Sequence, residues 1–135
     1  MNFFTPKVHI GLLYLGILGL MFFALTVNVI VHRWKFRVPI GGGQNQKMTQ
    51  IIRMHGHFAE YVPFLSLMLV ILEINRTSAE YLHFLWISLV LSRVFHAWGL
   101  YSSHLPHLGR FLGMTLTAIV LLGSSVGLLI SYTGN

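Results

Sequence analysis

Three residues in the stretch "RMHGHFAEYVP" (53–63) are spaced for joint chemistry: Arg53, His57 and Glu60 recur at i, i+4 and i+7. On a helix this spacing puts them on one stripe. Arg93 and His96 follow at i, i+3 on a later apolar segment, with Tyr101 farther round. All of them fall toward the helix ends that Arg33 and Arg110 also flank. Together they would line a cationic pocket with one carboxylate. Such a pocket suits a small anionic ligand that also carries an ammonium group.

The surroundings make these residues expensive. An ionised side chain inside a membrane span is costly unless it is paired or hydrated, so its presence points to a task. A plainer reading stays open beside the pocket: Glu60 pairs with Arg93 or Arg53 across a helix interface as structural glue. Arg33, Lys35 and Arg37 would then be topology determinants whose charged heads reach the headgroups.

The elements that must position these residues are apolar helices. The chain has 135 residues, 55% hydrophobic and 9% charged, with a mean hydropathy of +0.71. That is the balance of an integral membrane protein. Spans are expected near 8–31, 48–72, 81–101 and 111–132, all within one domain covering 1–135. The first run, from Val8 to Val31, is too long for a cleaved signal peptide and carries its positive cluster afterwards. Pro39 and three glycines in "VPIGGGQNQ" make a polar loop. Thr77 and Glu80 stand at capping-box spacing before the third run, and Pro106 suits the first turn of the fourth helix. Short loops favour an all-α, up-and-down bundle of four transmembrane helices.

Charge and composition narrow the function. The net charge of +6 comes from basic residues that flank apolar runs, which indicates membrane lipids as partners and no nucleic acid. Arg33, Lys35, Arg37, Lys47, Arg53 and Arg110 collect on one side, against Lys7 and Arg76 on the other. The positive-inside rule therefore puts both basic loops in the cytoplasm and both termini outside. The absence of cysteine excludes disulfides and thiolate metal sites. Eight histidines raise the alternative of a haem or metal protein. His55 and His57 diverge around a helix, however, and cannot clamp one ion from it alone, so no metal is expected. Gly123 and Gly127 read as small residues at a close helix contact, as do Gly11, Gly16 and Gly19. Asn28 reads as an interhelical hydrogen-bonding group, and Trp86, Trp98 and Tyr132 as bundle or interface aromatics.

Taken together, "RMHGHFAEYVPFL", "SRVFHAWGLY", "RFLGMTLTAIVLL" and the basic "RWKFRV" resemble the MAPEG family, the membrane-associated proteins of eicosanoid and glutathione metabolism, in its small bacterial form. The resemblance implies a multi-pass protein of the bacterial inner membrane. It also implies a homotrimer that binds glutathione as co-substrate between neighbouring subunits on the cytoplasmic side. By position, Arg33, Arg53, His57, Glu60, Tyr61, Arg93, His96 and Tyr101 would contact glutathione. Arg110 would be the catalytic arginine that stabilises its thiolate. Position 57 is His where many members have Asn, and Tyr101 falls five residues after His96, so the Tyr-x3-Tyr or His-x3-Tyr spacing of several catalytic members is not reproduced. The expected activity is glutathione transfer or peroxidase chemistry on hydrophobic electrophiles. The alternative is a non-catalytic member that binds a lipid or glutathione.

Overall fold

The computed structural model describes residues 8–101 and 106–134, without the side chains of residues 100, 101, 106 and 107. Lys7 and His104 lie outside the described residues. Four helices follow one another: α1 (Ile10–Phe36), α2 (Gln46–Ile74), α3 (Ala79–Tyr101) and α4 (Pro106–Thr133). No strand occurs among the described residues.

Local chemistry fixes the helix ends. Arg37 closes α1 in the left-handed region, φ 54°, with its N–H on Arg33 O. The Arg33 guanidinium then donates to the carbonyls of Val38, Pro39 and Gly41, each at 3.2 Å, and holds the following turn. Asn45 caps α2, its side-chain oxygen accepting from Met48 N at 3.0 Å, so the helix begins two residues before Met48. α3 begins at Ala79, one residue later than a Thr77 cap would start it, with Leu82 N on Ser78 O. α4 opens on Pro106, whose missing N–H costs nothing at a first helical position. Pro63 sits inside α2, and the helix continues through it because Phe58, Val62 and Leu65 on either side are buried in the bundle.

Contacts between helix ends set the topology. Glu73, near the end of α2, accepts from Ile10 N at 2.6 Å and Gly11 N at 2.8 Å at the start of α1. Arg93, late in α3, reaches His57 O, early in α2, at 3.3 Å. Tyr81 Oη, at the start of α3, donates to Gly123 O, late in α4, at 2.9 Å. Sequential neighbours are thus antiparallel, as an up-and-down bundle requires. The core between them holds Leu18, Leu65, Leu69, Leu82, Trp86 and Leu89.

The outer surface is as apolar as the core. Leu20 is 72% exposed, Phe23 67%, Leu122 69% and Leu129 67%, an arrangement that only lipid tolerates. By length and composition α1, α2 and α4 can each cross a membrane. α3 has the length, about 35 Å for its 23 residues. Its apolar character is diluted by His83, Arg93 and His96.

The glycines behave differently from one another. A Cβ on Gly123 would stand 3.0 Å from Leu85 Cδ2, and one on Gly11 3.0 Å from Glu73 Oε2, so both mark close contacts. Gly16 and Gly19 face open space instead. α1 packs through Tyr14 and Leu18, and Gly19 borders an open groove between α1 and α2.

Candidate functional site

The polar groups of the sequence stripe divide into an inner and an outer set. Arg93 belongs to the inner set and is 4% exposed. Its Nε donates to Ser92 Oγ at 3.0 Å, one terminal nitrogen to His57 O, and the other to Thr117 Oγ1 on α4. Thr117 and Ser92 spend their own hydroxyl hydrogens on Gly113 O and Leu89 O, both at 2.7 Å, and so are free to accept. The guanidinium also lies 5.7 Å from the centre of the Tyr61 ring, within cation–π range. One arginine thereby ties α2, α3 and α4 together.

His57 and Tyr61 stack in parallel one turn apart, with ring centres 6.0 Å from each other, and His57 meets His96 at 4.7 Å. His96 is buried, and neither of its ring nitrogens has a hydrogen-bond partner among the described residues. His55 turns the other way, toward α1, stacking on Phe22 and reaching Thr26 Oγ1 at 3.2 Å. The two histidines of "HGH" therefore serve different interfaces. No group of three or more candidate metal ligands occurs among the described residues.

Arg93 and His96 border a half-open cavity of about 370 Å³ lined by α1, α2 and α3. Asn28 of α1 is the third polar residue on its wall, and Met21, Leu25 and Phe58 are among the apolar ones.

The outer set is Arg53 and Glu60, both exposed on the flank of α2. Neither is joined to another described residue by an ion pair or hydrogen bond. The glue reading of Glu60 therefore has no partner within the described chain. Gly56 lies between them on the same stripe and leaves the backbone beside Glu60 bare. Arg110 is exposed on the opening turns of α4. Its backbone is held close to α3, since a Cβ on Gly99 would stand 2.5 Å from Arg110 N. Arg33 stays on its own loop. Of the nine expected site residues, the structure brings His57, Tyr61, Arg93 and His96 into contact. It leaves Arg53, Glu60 and Arg33 outside that cluster, while Arg110 stands close enough to His96 for the two charges to interact; the side chain of Tyr101 lies outside the described residues.

Sequence reasoning passed over Ser92 and Thr117, whose signal was only a neutral hydroxyl in an apolar run. It also passed over Glu73, although a third carboxylate at the end of one span, facing the start of its antiparallel neighbour, pointed to a helix cap.

Comparison with known proteins agrees with this architecture. The MAPEG family profile matches residues 11–130. The chain is 27% identical over 113 residues to the inner membrane protein YecN of Escherichia coli strain K12, covering 84% of this chain and 85% of that one. The YecN of Escherichia coli O6:H1 matches to the same extent. No solved structure matches significantly. With its lipid-facing helices, the chain is an integral membrane protein.

Proposed function

The chain belongs to the MAPEG family, and from that premise we propose that it is a glutathione-dependent transferase or peroxidase acting on hydrophobic electrophiles. The observation that carries this reading is the outer stripe: Arg53 and Glu60, exposed on a membrane helix and unpaired within the described chain. Opposite charges on that face call for a ligand carrying both signs. Glutathione has two carboxylates for arginines and an ammonium for Glu60, and bare Gly56 lets its backbone approach. Burial of such a ligand at this flank needs a second wall. A neighbouring subunit in a homotrimer supplies one, and its Arg33 loop adds positive charge.

Arg110 gives the chemistry its direction. A free thiol titrates near about 8.5 and is mostly protonated at neutral pH, while the thiolate is the nucleophile. A guanidinium on the first turns of α4 adds to the positive end of the helix dipole and stabilises the thiolate. In the transferase reaction the thiolate sulfur bonds to an electrophilic carbon and the leaving group departs with its electron pair. Lipid-soluble electrophiles reach the site through the bilayer. His57, Tyr61 and Arg93 brace the stripe from behind. The basic loops lie in the cytoplasm and the termini outside, by the positive-inside rule.

The test is conjugation of glutathione to a chlorodinitrobenzene-type acceptor by purified protein. Wild type turns over, and Arg110→Ala removes most of the rate. Inactivity against a broad panel of electrophiles and hydroperoxides would refute the enzyme reading. Saturable glutathione binding without turnover would establish a non-catalytic binding protein, a reading favoured by His57 being stacked on Tyr61 and His96 inside its own subunit.

A further inference from the structure

The groove between α1 and α2 carries a polar group that nothing described satisfies. It holds about 480 Å³ and lies between Leu15, Leu18 and Gly19 of α1 and Val62, Pro63 and Leu67 of α2. Ser66 is the one polar side chain on its wall among the described residues. It is 6% exposed, and its Oγ has no hydrogen-bond partner among the described residues. Buried hydroxyls rarely stay so. Five other helix hydroxyls behave differently: those of Thr26, Thr117, Ser124, Ser125 and Ser131 each donate to the carbonyl four residues back. Such back-bonding is the usual refuge of a hydroxyl in an apolar helix. Ser66 does not take it, and keeps its O–H for the groove.

The groove also continues the charged stripe. Pro63 and Leu67 follow Glu60 at i+3 and i+7, on the same flank of α2. Ser66 stands beyond Glu60 by about 9 Å along the helix, deeper in the membrane. At the end nearer Glu60 the wall is aromatic, with Phe22 and Phe58 stacked at 5.4 Å. No charged side chain lines the groove among the described residues.

These features select a chemistry. An apolar wall without charge rejects an ionised ligand. One unspent O–H calls for an uncharged hydrogen-bond acceptor, and an aromatic end packs against a planar ring. The volume falls within the range of ligand pockets, roughly 300 to 1,000 Å³, and admits a fused two-ring compound. An uncharged quinone meets all of these demands: it is planar, lipid-soluble and carries carbonyl acceptors. Its conjugated C=C bond is also an electrophile.

We propose that the groove between α1 and α2 is a binding site for an uncharged quinone, its carbonyl oxygen on Ser66 Oγ and its ring along Val62 and Pro63. Quinones are then the electrophile class of the reaction proposed above; that step rests on the glutathione reading, while the binding site does not. The thiolate sulfur bonds to a carbon of the conjugated C=C, and the π electrons pass to the carbonyl oxygen. The Ser66 hydroxyl stabilises the oxyanion as it develops. That oxygen takes up the proton the thiol released, and the ring C–H proton moves to the second oxygen. The product is a hydroquinone thioether, and no oxidant or reductant is consumed.

The experiment is calorimetric titration of the full chain in phosphatidylcholine nanodiscs with menadione, a methylated naphthoquinone. Empty nanodiscs are subtracted, and methylnaphthalene is the control without carbonyls. The chain has no cysteine to trap the quinone. Saturable menadione binding is expected, with methylnaphthalene weaker by about threefold or more. Ser66→Ala should weaken menadione binding by about threefold to tenfold. Its unfolding midpoint should be unchanged or raised, since an unpartnered buried hydroxyl contributes nothing to the fold. Gly19→Leu fills the groove at a position where a Cβ meets nothing within 4 Å. It should abolish menadione binding and leave glutathione binding and oligomer size at the wild-type level. Equal affinity for the two compounds, or wild-type menadione affinity in either variant, would overturn the proposal. A smaller oligomer in Gly19→Leu would put a second copy in the groove and overturn it too. Menadione binding without accelerated conjugation to glutathione would support the site and count against the transferase reading. Turnover of the chlorodinitrobenzene-type acceptor without menadione binding would do the reverse.

Discussion

Arg93 shows how one side chain can hold three helices of a bundle together. Its i, i+3 pairing with His96 was legible because a charge in an apolar run is conspicuous. Thr117 was not legible, because a neutral hydroxyl gains meaning only once α3 and α4 are known to be antiparallel. Thr117→Val should leave one guanidinium nitrogen without its acceptor and cost about 1–3 kcal/mol, read as a lowered unfolding midpoint in detergent. An unchanged midpoint would show that Arg93 takes no support from α4. Glu73 makes a parallel case at the other end of the bundle. Glu73→Ala strips the acceptor from Ile10 N and Gly11 N and should destabilise by about 0.5–2 kcal/mol, as loss of a helix cap does. Hydrogen exchange at those two amides should rise with it, and exchange at the wild-type rate would contradict the cap.

Among the elements, the crossing of α3 and α4 is the most demanding contact. A Cβ on Gly109 would come within 2.6 Å of Gly99 Cα, and one on Gly113 within 2.9 Å of His96 N. Both clashes are with backbone, which cannot rotate aside. Gly109→Ala should therefore separate the helices and cost about 1–3 kcal/mol as overpacking. Gly16→Ala, with nothing within 4 Å, should be neutral in the same unfolding assay. Equal midpoints would contradict the close crossing. Hydropathy made the four helices readable, since long apolar runs separated by Pro, Gly and charge leave few alternatives. The glycine contacts were only partly readable, because spacing identifies small residues but not the side a helix turns to its neighbours. Gly123 and Gly127 fell against neighbouring side chains, and Gly16 and Gly19 where nothing lies within 4 Å.

At the scale of the whole molecule, the apolar exterior and the exposed charges of Arg53 and Glu60 on α2 describe an integral membrane protein with a polar stripe on one flank. The natural sequence has no cysteine, so single cysteines report topology cleanly. Gln44→Cys, in the basic loop, should be labelled by an impermeant maleimide only after the membrane is opened. Ser78→Cys, at the opposite end, should be labelled in intact cells. The reverse pattern would invert the proposed orientation. The division of the site into inner and outer sets was not legible in the sequence, because i, i+4, i+7 spacing shows which residues share a stripe but not which of them reach the helix interface. The most direct test of the central claim is glutathione binding by wild type in nanodiscs, compared with Arg53→Ala and Glu60→Ala. Each substitution should weaken binding by roughly tenfold or more, the loss of a charge-assisted hydrogen bond, and unchanged affinity in both would show that the outer stripe does not hold glutathione.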